Sequence, residues 1–207
     1  GGDRPPPSGA SPPLISVPSP KNNTIYRVND ITFTFNASTP ESFGVRYLGS
    51  IYYNADWLPN KMIVNGPGDY IDWSTTFIEH NMTYHIPDGE HNITIIAIGE
   101  GGYLEDNVWY TFGMTTISTI NFVVDTVSPS VSILSVENKT YTTSDVPLNF
   151  ATSELVSQIS YVLDGQENVT IGRNTTLTGL TAGSHNVTVY AWDAAGNVGA
   201  SETITFT

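Results

Sequence analysis

Residues 184–192 read Ser-His-Asn-Val-Thr-Val-Tyr-Ala-Trp, the clearest strand pattern in the chain. Apolar and polar side chains alternate along it, so a β-strand would bury Val187, Val189 and Ala191 on one face and expose the residues between them. Valine, threonine and tyrosine also favour the pleated, half-buried surface of a sheet. The pattern predicts a strand with one face in a core and the other face in water.

The chain holds a second copy of this pattern. Residues 86–94, Ile-Pro-Asp-Gly-Glu-His-Asn-Ile-Thr, match residues 180–188, Leu-Thr-Ala-Gly-Ser-His-Asn-Val-Thr. Residues 13–17 likewise match residues 129–133, and the first copy carries an extra segment between its two matching blocks. A repeat of about 100 residues indicates two successive domains built on one plan.

The composition predicts an all-β fold. Hydrophobic residues make up 39% of the 207 residues and charged residues only 13%, while 19 serines and 26 threonines supply polar surface that strands tolerate. No window longer than one turn has the three-and-four spacing of apolar residues that a helix needs. We therefore expect two tandem immunoglobulin-like β-sandwich domains, residues 14–125 and 126–207, after a proline-rich segment at residues 1–13.

Seven short strands are predicted in the second copy, at the spacing of a sandwich. They lie at about 131–136, 146–153, 158–164, 168–172, 174–180, 184–192 and 201–207. Asp164-Gly165 and residues 194–197 are predicted as turns, because glycine tolerates the positive φ that hairpin turns require.

Three segments of the second copy carry a family resemblance. They are Tyr-Val-Leu-Asp-Gly at 161–165, Leu-Thr-Ala-Gly-Ser-His at 180–185 and Ala-Trp-Asp-Ala-Ala-Gly-Asn at 191–197. In this order and spacing, residues 129–207 resemble the bacterial and archaeal Ig-like repeats of large extracellular surface proteins. Residues 13–125 resemble them only loosely, since Gly-Glu-Gly-Gly at 99–102 stands where the Asp-x-Ala-Gly-Asn signature would be. The resemblance implies a spacer, stalk, adhesive or fibre-forming module, or an appendage of a secreted enzyme, and implies no catalytic residues.

The charge and cysteine content exclude several functions. The net charge is −13, with only seven lysines and arginines, so phosphate backbones would be repelled and nucleic-acid binding is not expected. Without cysteine there is neither a disulfide nor a thiolate nucleophile. No apolar run approaches the roughly 20 residues that cross a bilayer, so no membrane span is expected in this chain.

Glycosylation sequons are unusually frequent. The chain has eight Asn-x-Ser/Thr acceptors, against about four expected from its composition. They are Asn22, Asn36, Asn81, Asn92, Asn138, Asn168, Asn174 and Asn186. One explanation is that a chain rich in threonine and asparagine produces sequons by composition. The other is N-glycosylation at the cell surface, which is favoured because strand alternation turns Asn92 and Asn186 toward water.

The sequence predicts no enzyme. It lacks Gly-x-Ser-x-Gly, His-Glu-x-x-His and the phosphate-binding Gly-x-x-x-x-Gly-Lys. His91 and His185 occupy equivalent positions in the two copies, which is better explained by the turns they close than by metal binding. His80 and His85 are five residues apart, so a strand places them on opposite faces.

Calcium is the single cofactor that the acidic side chains suggest. Oxygen ligands could come from Asp193 and Asn197, or from Asp125 at the domain junction together with residues 105–107. The stretch from Asp193 to Asn197 also fits a turn whose side-chain oxygens accept bonds from backbone N–H groups. Both interpretations stay open at this point.

Aromatic residues concentrate in the first copy, at residues 47–84 and 103–112. Aromatic rings stack on sugars and anchor protein interfaces, so Trp57, Trp73 and Trp109 are the candidate binding face. The alternative is that most of these rings fill a larger core.

The N-terminal segment suggests an assembly. Residues 1–20 hold seven of the thirteen prolines, which favours extended polyproline II. We hypothesise that Leu14, Ile15 and Val17 add as a strand to a neighbouring subunit, giving a filament or pilus by self-association or by binding other surface proteins. Three functions remain: a surface or filament subunit, a carbohydrate-binding or adhesive module, and a domain pair appended to a larger secreted protein.

Overall fold

The computed structural model describes residues 5–40, 45–65 and 77–207. Throughout these residues the regular secondary structure is β-strand, so the predicted all-β fold class is confirmed. The described ranges contain no helix with the length and hydropathy of a membrane span. The chain divides into two compact units, Gly1–Asp125 and Thr126–Thr207.

The first unit is built from two sheets. Its strands are β1 (Leu14–Ser19), β2 (Thr24–Tyr26), β3 (Asp30–Ser38), β4 (Val45–Ala55), β5 (Met62–Asn65), β6 (Phe77–His85), β7 (Gly89–Glu105) and β8 (Val108–Val124). One sheet has the order β1-β3-β6 and the other β2-β8-β7-β4-β5. All neighbours are antiparallel except β2 and β8, which run parallel.

The core of the first unit follows from strand alternation. Phe33 and Phe35 on β3 are buried at every second position, and on β7 the buried alternate residues are Ile93, Ile95 and Ala97. These side chains belong to one hydrophobic cluster with residues of β4, so the two sheets share their apolar faces. The predicted burial of Ile93, Ile95 and Ala97 is confirmed.

The hairpin of β7 and β8 is the longest feature of the first unit. Each strand has 17 residues, and the register runs without a break from Gly89 opposite Val124 to Glu105 opposite Val108. The two residues between the strands, 106 and 107, have φ of 49° and 58°, as in the two-residue turns that suit the right-handed twist of strands. Strand β4 accompanies β7 only as far as Gly101, so the tip continues as a two-stranded ribbon.

The second unit has nine strands, each of them shorter than β7 and β8. They are β9 (Val131–Ile133), β10 (Val146–Leu148), β11 (Phe150–Thr152), β12 (Gln158–Leu163), β13 (Val169–Ile171), β14 (Thr175–Leu177), β15 (His185–Trp192), β16 (Val198–Ala200) and β17 (Ile204–Phe206). The largest sheet has the order β13-β12-β15-β16, with β17 also paired to β15, while β10 pairs with β14 and β11 with β9.

The predicted strands of this unit agree with the structure, with two differences. Strand β15 buries Val187, Val189 and Ala191 as expected, and Asp164 and Gly165 have φ of 53° and 69°, the positive values predicted for the turn. The predicted strand at 146–153 is divided between β10 and β11, which pair with different partners. Strand β16 was not expected, and it forms because the turn after β15 returns the chain to pair with Trp192.

Candidate functional site

The sequon asparagines lie mainly on the surface. Asn36 is half-buried on β3, the central strand of its sheet, and the other seven are exposed. Three of the exposed ones use the side-chain oxygen: Asn22 Oδ1 accepts from the Asn121 backbone N–H at 2.8 Å, Asn174 Oδ1 from the Phe150 backbone N–H at 3.1 Å, and Asn168 Oδ1 from the Ser160 hydroxyl at 3.3 Å. These bonds involve the oxygen of each side-chain amide. An N-linked glycan is attached to the nitrogen, so these three bonds do not occupy the attachment atom.

Strand β1 pairs within its own unit. Leu14, Ile15 and Ser16 lie opposite residues 36–38 of β3, and Ile15 and Val17 pack half-buried against the first unit's core. Leu14 is 58% exposed. Among the described strands, β1 is also an edge of its sheet, with β3 as its neighbour there. A role of Leu14, Ile15 and Val17 in subunit contact therefore requires edge addition or strand exchange, and it stays a prediction.

The three candidate tryptophans have different surroundings. Trp57 belongs to the core, where its ring packs edge-on against Phe122 and His91, with centroids 5.6 Å away in both cases. Its indole N–H is buried and has no hydrogen-bond acceptor among the described residues. The half-buried position of Trp57 against the core favours the alternative that this ring fills a larger core, and its place in a binding face stays a prediction. Trp73 lies outside the described residues.

Trp109 is exposed at the hairpin tip. Its side chain is on the outer face of the ribbon, opposite Leu104, and the two are 56% and 61% exposed. The indole lies across Gly102, where an added Cβ would be 3.0 Å from Trp109 Nε1 and 2.9 Å from the Tyr110 carbonyl oxygen. On the opposite face, Tyr103 and Tyr110 stack with centroids 5.6 Å apart, which stabilises the ribbon.

A depression of about 290 Å³ lies on the same face of the first unit as Trp109 and begins at Thr111, two residues further along β8. It is lined by Tyr47, Ile98, Glu100, Gly101, Thr111, Phe112 and Gly113. The Tyr47 hydroxyl donates to Glu100 Oε2 at 3.1 Å, and the carboxylate lies over Gly49, where a Cβ would be 2.6 Å from Glu100 Oε1. Burial, and then the hydrogen bond to and the charge of Glu100, raise the pKa of Tyr47 to about 12. The site thus combines a recessed carboxylate with an exposed aromatic ring.

His91 and His185 make the same pair of contacts in the two units. His91 Nδ1 lies 3.2 Å from Asp56 Oδ1 and Nε2 lies 2.7 Å from the Pro87 carbonyl oxygen. His185 Nδ1 lies 2.7 Å from Asp164 Oδ2, and Nε2 lies 2.9 Å from the carbonyl oxygen four residues earlier. Each ring therefore closes a turn onto the strand that follows it, which supports the structural interpretation of the repeated histidine.

The second unit's histidine is electrostatically coupled to its carboxylate. Hydrogen bonds to Asp164 and to the Thr181 carbonyl raise the pKa of His185. Burial alone would raise the pKa of Asp164, but hydrogen bonds from His185 and from the Asn186 backbone N–H hold it below its ordinary value. The pair is therefore charged in the folded unit at mildly acidic pH.

The stretch from Asp193 to Asn197 forms a closed turn. Asp193 is 3% exposed, and its two oxygens accept from the Asn197 backbone N–H and from Asn197 Nδ2, both at 2.9 Å. The turn interpretation is supported, and a calcium role for these two residues stays a prediction. The expected partnership of Asp125 with residues 105–107 is wrong, because β8 separates the junction from the hairpin tip by about 50 Å.

A second aromatic cluster lies in the core of the first unit. The hydroxyl of Tyr53 is hydrogen-bonded to His80 Nε2 at 3.2 Å and to the Tyr84 hydroxyl, and Phe33 and Phe35 pack around the same histidine. Burial lowers the pKa of His80. His85 is exposed, so the predicted opposite orientation of His80 and His85 is confirmed.

Sequence reasoning missed the residues that line the depression. Tyr47, Glu100, Thr111 and Gly113 are separated along the chain and meet only through the register of β4, β7 and β8. The available signal was the pair Asp106-Asn107 between Tyr103-Leu104 and Trp109-Tyr110, because two turn-forming residues between aromatic and apolar residues are typical of a tight hairpin.

These features define the chain as an all-β protein of the β-sandwich class, in which the two sheets of the first unit share an apolar core. No family model matches the chain. A region of 92 residues is 40% identical to halomucin of Haloquadratum walsbyi, and the match spans 41% of this chain and about 1% of the length of halomucin.

Solved structures resemble the chain in fold alone. The fibronectin(III)-like modules of Clostridium thermocellum CbhA are 14% identical, with 93% of each chain covered and a TM-score of 0.42. A 1.5-MDa bacterial ice-binding adhesin is 15% identical, with 95% of this chain and 64% of that chain covered and a TM-score of 0.44.

Proposed function

We propose that the chain is an extracellular, N-glycosylated structural module of a cell surface, without catalytic activity. The observation that carries the proposal is the exposure of seven of the eight sequon asparagines. The described His–carboxylate pairs support a structural role, because His91 and His185 are each also bound to a backbone carbonyl. Similarity to a small part of halomucin supports a module within a longer protein.

Glycopeptide mass spectrometry of the native material tests the glycosylation. We expect glycans at exposed positions such as Asn92 and Asn186, and the lowest occupancy at half-buried Asn36. Unmodified peptides at all eight sequons would contradict the proposal.

We further propose that modules assemble into a filament through the edge strand β1. An exposed edge presents unpaired backbone groups that pair readily with another strand. Leu14→Asp with Ser16→Asp places charge on the exposed positions of β1 while leaving Ile15 and Val17 in the core. We expect this variant to lose polymers in negative-stain microscopy and to sediment as a monomer. Polymers equal to those of the unaltered chain would contradict edge assembly.

Adhesion by carbohydrate binding is a second candidate function. It is favoured by Trp109, which is more than half exposed beside a recessed carboxylate. Exposed aromatic side chains at a hairpin tip are suited to contact a ligand rather than to stabilise a core.

A further inference from the structure

We infer that the outer face of the β7–β8 hairpin holds a site for one pyranose ring of an uncharged saccharide, with the ring stacked on Trp109 and its hydroxyls bonded by Glu100 and Thr111. The inference rests on the proposed sugar-binding role and is independent of the proposed glycosylation and assembly.

The register brings the three side chains to one face. Residues 100, 102 and 104 of β7 alternate with the buried residues and point outward, and they lie opposite residues 113, 111 and 109 of β8. Because Gly102 has no side chain, the indole of Trp109 lies across it and next to Thr111, which faces Gly102 in the ladder. The stacking surface and the depression are therefore neighbours.

Glycines make the recess. An added Cβ at Gly113 would have its nearest atoms at 4.0 Å, the Gly99 carbonyl oxygen and a methyl group of Ile98, so open space lies above this residue. A volume of about 290 Å³ is at the small end of ligand pockets, which suits a single sugar ring better than a peptide segment.

The polar groups suit hydroxyls. Glu100 is held in place by the Tyr47 hydroxyl and by its contact with Gly49, so its carboxylate is a preorganised acceptor. Thr111 adds a hydroxyl that donates or accepts. A pyranose offers hydroxyls at its rim and C–H groups on its faces, and an indole face is attracted to the latter.

The charge distribution selects against acidic sugars. Between Lys61 and Lys139 the sequence has ten aspartates and glutamates and no lysine or arginine. Glu105 and Asp106 lie at the tip, directly after the Leu104–Trp109 pair, so they are close to the stacking surface. A uronate or a sulfated sugar would bring a like charge toward these carboxylates and Glu100.

The full chain, produced in a host without N-glycosylation, tests the inference. Saturation-transfer NMR and titration calorimetry are run with the methyl glycosides of glucose, galactose and mannose, with N-acetylglucosamine, and with glucuronate. We expect at least one uncharged sugar to bind with ring C–H saturation, and glucuronate to bind at least tenfold more weakly or not at all.

Two variants locate the site. Trp109→Ala removes the stacking surface, and Gly113→Val fills the recess with a Cβ that comes no closer than 4.0 Å to its neighbours, so each is expected to weaken binding about tenfold or more. Tyr103→Phe, on the opposite face of the ribbon, is the matched control and keeps wild-type affinity. Circular dichroism checks that every variant is folded.

The inference is overturned if no uncharged sugar binds at millimolar concentrations, if glucuronate binds as well as they do, or if Gly113→Val and Trp109→Ala leave the affinity unchanged. Because the chain carries no glycan and need not polymerise in this experiment, failure here leaves the proposed structural role standing.

Discussion

At the scale of single residues, burial lowers the pKa of His80 in the first unit, whereas hydrogen bonds raise the pKa of His185 in the second. His80 binds a proton less readily in the folded unit than in the unfolded chain, while His185 binds one more readily. The contribution of His185 to the free energy of unfolding is therefore complete below about pH 6.5. It is lost as the pH rises through the higher pKa that His185 has in the folded unit. The contribution of His80 depends on pH in the opposite direction. As the pH falls below about 6.5, the unfolded chain takes up a proton on His80 before the folded unit does, so the free energy of unfolding decreases.

Between pH 5 and pH 8 we expect the free energy of unfolding to rise with pH in the first unit and to fall in the second. Hydrogen exchange with peptide-level mass spectrometry follows each unit separately in the full chain. His80→Phe should reduce the pH dependence of the free energy of unfolding in the first unit alone, and His185→Gln should reduce it in the second unit alone. A response of the same sign in both units, unchanged by these substitutions, would contradict the assignment.

Gly199 lies where the packing of the second unit leaves no room for a side chain. An added Cβ would overlap the carbonyl oxygen of Pro129, because β16 passes directly under the start of the second unit. We expect Gly199→Ala to destabilise the second unit by about 1–3 kcal/mol, the usual cost of overpacking. Gly172→Ala is the control, since its Cβ would meet no atom within 4 Å and its φ is not positive. Equal denaturation midpoints for the two variants would refute the steric explanation.

At the scale of elements, substitutions on the two faces of β1 are expected to differ in their effect on stability. Ile15 and Val17 pack against the first unit's core, whereas Leu14 and Ser16 are exposed. Ile15→Asp should lower the free energy of unfolding by about 2–4 kcal/mol, because it buries an unpaired carboxylate in place of an apolar side chain. Leu14→Asp should change it by less than about 0.5 kcal/mol. Urea denaturation measures both, and similar losses would mean that β1 is not paired as described.

The elements also show what sequence patterns can establish. Alternation alone predicted the buried faces of β7 and β15, because a period of two fixes every second side chain once one is known. It did not predict that β7 continues through Gly99 and Gly101, since glycine favours breaks and these residues are kept extended by their pairing with both β4 and β8. The depression beside Trp109 depends on that continuation, so it was not predictable from the residues alone.

Contacts between residues far apart in the sequence account for the remaining differences between the sequence-based predictions and the structure. Trp57 resembled an exposed aromatic in the sequence, but its burial depends on Phe122 and His91, which reach it from other strands. The contact of His80 with Tyr53 likewise requires β6 and β4 to face each other across the core. Composition gives the number of aromatic rings, whereas packing decides which of them reach water.

At the scale of the whole molecule, the net charge of −13 should make stability depend on salt. Self-repulsion among exposed carboxylates opposes the compact state, and the Debye length falls from about 10 Å at 0.1 M to about 3 Å at 1 M. We expect the melting temperature to rise by several degrees between 0.05 and 1 M NaCl. In the triple variant Glu90→Gln, Glu167→Gln, Glu202→Gln the rise should be smaller. A melting temperature that falls with salt would contradict this account.

The parallel pairing of β2 with β8 has a mechanical consequence. The first of these strands lies near the start of the unit and the second at its end, and their ladder is extended by a bond from the Asp125 backbone N–H to the Tyr26 carbonyl oxygen. Tension applied to the two ends of the unit pulls parallel neighbours in opposite directions along their length, so these bonds are loaded together in shear and cannot be unzipped one at a time. We therefore expect the first unit, when it is stretched from both ends, to resist extension at this seam.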